Sequence, residues 1–150
     1  MKQRIFSLLV LCVLAACSSP ASGTSFVAPQ GWGGTPGIAG RFQMWMHNNQ
    51  VLMIIRGDKS MTLSDMEHQT AGTSSLQTTK TENVTLCGKQ PAQHFFGTGE
   101  PNRNGQVKRT QLEGMLTEIG DSRYLVMYVY PLHTQPDGQA ETALHSICPK

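Results

Sequence analysis

Two groups of side chains in this 150-residue chain have the composition of a metal site. The first is Met44-Trp45-Met46-His47, with Met53 a few positions on. Thioether and imidazole ligands suit Cu(I), and a neighbouring indole can cover a soft cation. On a regular strand, however, Met44 and Met46 point one way and Trp45 and His47 the other. The sequence therefore favours a Met face turned to the core and a half-buried Trp/His face. Copper held by Met44, Met46 and His47 is the alternative. The second group is His145-x-x-Cys148, which has helical ligand spacing. With Cys87 it would make a Cys2His set for zinc, and His94 could complete it. In an exported protein the two cysteines are expected to join each other instead.

Catalytic patterns are missing. There is no Gly-x-Ser-x-Gly, no phosphate loop, no His-Glu-x-x-His and no dinucleotide fingerprint. A hydrolase built on His47 or His133 with a carboxylate would lack an identifiable nucleophile. The expectation is a protein with no catalytic residues and no cofactor. Arg56-Gly57-Asp58 spells an adhesion tripeptide but reads as the end of a strand, and Asn83-Val84-Thr85 is a sequon inside another strand.

The start of the chain reads as an export signal. Lys2 and Arg4 precede an apolar run from Ile5 to Ala16, too short to span a bilayer as a stable helix. The run ends in Leu14-Ala15-Ala16-Cys17, which resembles the lipobox of bacterial lipoproteins. That resemblance implies cleavage before Cys17, a diacylglyceryl group on its thiol, and N-terminal acylation (palmitate in the usual case). Two or three acyl chains satisfy the two-signal requirement for stable anchoring. Ser18 resembles the default signal for outer-membrane sorting in a diderm cell; in a monoderm cell the anchor would lie on the outer face of the cytoplasmic membrane.

Cleavage changes the charge reading. Lys2 and Arg4 account for the whole net charge of +2, since twelve Lys and Arg face ten Asp and Glu. The remaining 134 residues carry no net side-chain charge, which argues against a nucleic-acid partner. Of the four cysteines, Cys12 leaves with the signal and Cys17 takes the lipid. Cys87 and Cys148 are left as an even pair in an oxidising periplasm or cell surface, and a disulfide is expected. Closing 61 residue steps, it would contribute about 4 kcal/mol by the chain-entropy model.

The organisation follows as a signal over 1–16, a lipidated flexible tether over 17–25, rich in Ser, Pro and Gly, and one domain over 26–150. Within the domain, Arg41–Asn48 and Gln50–Arg56 read as a hairpin turning at Asn48-Asn49. Thr62 to about Leu76 reads as an internal helix, and Thr78–Glu82 as a connection. Asn83–Cys87 and Ala92–Thr98 read as strands. Gln106–Ile119 fits either helix or strand by pattern, with strand favoured by the turns around it. Tyr124–Tyr130 is apolar on both faces and reads as a central strand. A terminal helix capped by Asp137 carries Ala140, Ala143, Leu144, Ile147 and Cys148 on one stripe.

That order predicts an α+β class: a twisted antiparallel sheet with an internal and a C-terminal helix packed on it. The stretches Phe26–Trp32, Leu86–Ala92 and Ala143–Cys148 resemble landmarks of the PsbP-like fold, found in photosystem accessory subunits and many small bacterial lipoproteins. The resemblance implies no shared catalytic site. The functional expectation is a lipid-anchored envelope protein, a binding or accessory module for a protein or small-molecule partner.

Overall fold

A computed structural model describes residues 18–68, 76–99, 102–103, 106–107 and 110–150. The signal and Cys17 lie outside these residues, as do 69–75, the second half of the expected internal helix. The elements are β1 (Gly33–Gly34), β2 (Phe42–His47), β3 (Gln50–Asp58), α1 (Leu63–His68), β4 (Leu76–Leu86), β5 (Gln90–Gly99), β6 (Asn102–Arg103), β7 (Gln106–Val107), β8 (Thr110–Ile119), β9 (Ser122–Pro131) and α2 (Gly138–His145). One seven-stranded sheet runs β1-β2-β3-β9-β8-β5-β4, with every pair antiparallel; β6 and β7 pair separately.

The α+β expectation is corrected. Strand accounts for 53% of the structure and helix for 11%, a β-rich fold with both faces of its sheet covered. The error arose between residues 63 and 86. Among the described residues helix α1 spans Leu63–His68, and Thr78–Glu82, expected as a connection, belongs to the edge strand β4, Leu76–Leu86. Its outer half, Gln77–Thr81, is exposed and rich in threonine. Such a strand has no apolar alternation to announce it; β-branched residues and partner hydrogen bonds hold it instead.

The hairpin β2–β3 turns at Asn48 and Asn49, with φ of 47° and 62°. Two consecutive left-handed residues give the turn whose twist matches the strands, and asparagine tolerates that conformation. Strand β9 lies between β3 and β8 with a core cluster on each face, and Tyr124 through Tyr128 are all buried.

Alternation on the strands divides the core in two. On one face Leu52, Ile54, Met115, Tyr124, Val126 and Tyr128 meet α2 through Ala140, Ala143 and Leu144, with Ile147 beyond it. On the other face Met53, Ile55, Phe95, Leu112, Leu125 and Met127 meet α1 through Met66. Complete burial of Leu144 and Ile147 contributes about 2 kcal/mol each.

Helix α2 begins where expected. The Asp137 carboxylate accepts from the backbone N–H of Gln139 at 2.8 Å and Ala140 at 3.4 Å. The Tyr128 hydroxyl accepts from Asp137 N–H at 2.8 Å and donates to Gln50 Oε1, tying the helix start to β9 and β3. The helix ends at His145, sooner than its apolar stripe suggested, and Cys148 lies beyond it. There Cys148 meets Cys87, in the turn between β4 and β5, in a disulfide with a Cα–Cα distance of 6.5 Å.

Several residues of the 18–25 stretch are hydrogen-bonded to the domain. Ser19 Oγ donates to Gln43 Oε1 at 2.8 Å, and Ser18 O accepts from Gly40 N–H at 3.1 Å. Thr24 is buried and bridges to Pro149, and Ser25 N–H donates to Cys148 O at 2.9 Å. Backbone bonds of this kind hold a Ser/Pro/Gly-rich stretch that composition alone assigns to free chain.

Candidate functional site

The α2 face of the sheet carries polar side chains where the apolar core gives out. In β5, Ala92, His94 and Phe96 alternate onto this face; in β8, Glu113, Met115 and Thr117 do the same. The β5–β8 register places Phe96 opposite Glu113 and His94 opposite Met115, so His94 and Glu113 are diagonal neighbours. Their side chains meet: His94 Nε2 and Glu113 Oε1 share a hydrogen bond of 2.6 Å, and both residues are buried.

Helix α2 supplies the other half. Glu141 and His145 are one turn apart and so project from the same side of the helix, with His145 Nε2 3.9 Å from Glu141 Oε2. The rings of His94 and His145 meet edge to face, with centroids 5.3 Å apart. The carboxyl groups of Glu141 and Glu113 are electrostatic neighbours, each shifting the other. Ligating atoms of His94, Glu113 and His145 all lie within 4.8 Å of one another.

The electrostatics follow from burial. Desolvation, then the charge of Glu113, pushes the Glu141 carboxyl up to about 7. Burial also raises Glu113. Desolvation pushes both imidazoles below the usual histidine value; nearby Glu82 and Glu141 work against this at His94, and Glu141 at His145. Burial thus disfavours the charged form of all four groups. At its rim, Phe96 lies 4.4 Å from the His94 ring between centroids, and Lys80, ion-paired to Glu82, sits over Phe96 at 5.6 Å.

The residues singled out in the sequence are distributed otherwise. Met44 packs against the α1-side core, Met53 is buried in it, and Met46 is exposed. His47 lies on the opposite face of β2 beside Trp32, with ring centroids 5.7 Å apart. The structure does not gather Met44, Met46 and His47 at one point. The space beside the tryptophans is filled: Phe26 packs on Trp45 at 5.5 Å and Tyr128 on Trp32 at 6.3 Å. His133 is exposed. Cys87 and Cys148 are spent on each other, which removes both thiolates from the Cys2His zinc set. Two members of that set, His94 and His145, do come together, with carboxylates in place of the thiolates.

Sequence reasoning missed Glu113 and Glu141. A signal was present for one of them: Glu141-x-x-x-His145 lies on the helix whose N-cap was legible. Nothing in the sequence joined Glu113 to His94 before their strands were known to be neighbours. A shallow recess of about 510 Å³ lies elsewhere, bordered by Gln90, Thr117, Glu118 and Arg123, and includes none of the four residues. No protein-family model matches this chain, and no curated protein is significantly similar to it.

Proposed function

We propose that this chain is a lipid-anchored protein of the cell envelope, a binding module without catalysis, carried on Cys17 at the surface of a membrane. The sequence supports the anchor through Leu14-Ala15-Ala16-Cys17 and the export signal before it. The observation that carries the functional reading is the attachment of Ser18 and Ser19 to Gly40 and Gln43. With the residue after Cys17 fixed to the domain, the acyl chains enter the bilayer beside the domain itself, which then lies directly on the membrane. Ile38, exposed and two residues from Gly40, is placed to meet the lipid headgroups. The absence of a recognisable catalytic pattern in the sequence supports a binding role, and the largely buried His94–Glu113–Glu141–His145 cluster is the feature best suited to bind.

Metabolic labelling with a palmitate analogue, followed by membrane fractionation, tests the anchor. The wild-type chain is expected to incorporate label and sediment with membranes. Cys17→Ser is expected to lose the label and appear in the soluble fraction. Equal fractionation of both proteins would overturn the reading.

A further inference from the structure

We propose that His94, Glu113 and His145 form a binding site for a divalent transition-metal ion of the zinc type, with Glu141 as the outer carboxylate that orients Glu113. The proposal deepens the binding-module reading by naming its ligand, and rests on that reading only for its cellular role. Each ligand comes from a different element: His94 from β5, Glu113 from β8, His145 from the last turn of α2. Their ligating atoms already converge within 4.8 Å. Tetrahedral coordination at roughly 2.0–2.2 Å places ligand atoms about 3.4 Å apart. The 2.6 Å contact between His94 and Glu113 must therefore open, and His145 must approach, by shifts that side-chain rotation supplies. The proton these two groups share occupies the position between them that a metal ion would take.

The donor set selects the class of ion. Two imidazoles and one carboxylate suit zinc and its neighbours. They lack the oxygen ligands that calcium and magnesium require, and the thiolate or thioether ligands of Cu(I). Three protein ligands leave a fourth position for water or a small anion. The chemistry of the second shell agrees. Outer polar partners close to a ligating carboxylate tune its affinity, and Glu141 is the electrostatic neighbour of Glu113. A dication would also compensate the negative charge that Glu113 brings to a buried position. The nearby cation Lys80 is ion-paired to Glu82 and does not take this role.

The test uses the full chain without a histidine tag, purified in detergent and stripped with chelator. Zinc is titrated against a chromophoric competitor, and thermal unfolding is followed with and without zinc. One ion per chain is expected, with a raised melting temperature. His145 is half exposed, so His145→Ala is expected to fold, to lose about 100-fold or more in affinity, and to lose the thermal shift. Glu141→Gln is expected to weaken binding by about 10- to 100-fold, the range for outer partners. His133→Ala, on a distant exposed residue, is expected to bind as wild type. Absence of zinc binding by the wild type would overturn the site, as would undiminished affinity and thermal shift in His145→Ala. Failure of Cys17 to carry lipid, by contrast, would overturn the anchor and leave this result standing.

Discussion

His94 Nε2 lies 2.6 Å from Glu113 Oε1, between two adjacent strands and beneath the C-terminal helix. A buried pair of this kind is costly to break on one side only, because the remaining group keeps its desolvation penalty. Glu113→Ala is expected to destabilise the zinc-free protein by about 1–3 kcal/mol in urea unfolding. Glu113→Gln, which retains a hydrogen-bonding partner for the imidazole, is expected to lose less. Equal losses would show that the bond contributes nothing beyond packing.

The same cluster sets an unusual pH dependence for the zinc-free protein. The Glu141 carboxyl, raised to about 7, binds its proton more tightly folded than unfolded. Its contribution is complete below the ordinary value of 4.5 and is lost as pH rises through 7. His94 and His145 are lowered, so they act in the opposite sense and reduce stability as pH falls below 6.5. Glu113, Glu82, Lys80 and Tyr130 face the same space. The opposed slopes predict a shallow profile for the wild type between pH 5 and 7. Glu141→Gln removes the larger carboxylate effect, so its stability is expected to rise with pH across that window and to exceed the wild type at pH 8. Urea midpoints across the pH range provide the check.

Gly114 pairs with Phe95 across β8 and β5 on the other face of the sheet, and the ring lies over it. A Cβ at Gly114 would come 2.0 Å from Phe95 Cζ. Gly114→Ala must displace the ring or the strand, and a loss of about 3 kcal/mol is expected. Adding Phe95→Leu should recover part of that loss. A double-mutant cycle with no coupling would contradict the contact.

The Cys87–Cys148 bond fixes the chain three residues after His145. Replacing both cysteines by serine is expected to cost about 2–4 kcal/mol in unfolding free energy. Because Cys148 also restrains the end of α2, the same variant should bind zinc more weakly than wild type even under conditions where it is fully folded. Unchanged affinity would show that α2 is positioned without the bond.

Local features were legible where one element sufficed to define them. Asn48-Asn49 marks its own turn, the run from Tyr124 to Tyr130 marks a strand covered on both faces, and Asp137 marks a helix start. The α+β expectation fails at β4 because an exposed edge strand of threonine, glutamine and lysine carries no burial pattern. The hydrogen bonds that involve Ser18, Ser19 and Ser25 depend on partners up to 123 positions away, which composition does not reveal. The site shows the same limit. His94 and His145 were recognised as ligand types, yet their partners were sought among the cysteines. Glu113 and Glu141 reach them only through strand register and helix docking, which no single stretch of sequence encodes.

Diffraction at the zinc absorption edge, from crystals of the zinc-loaded chain, tests the binding site most directly. The predicted result is one anomalous peak roughly 2.0–2.2 Å from ligating atoms of His94, Glu113 and His145, with Glu141 against Glu113. Zinc bound elsewhere, with His94 and Glu113 still hydrogen-bonded to each other, would contradict it.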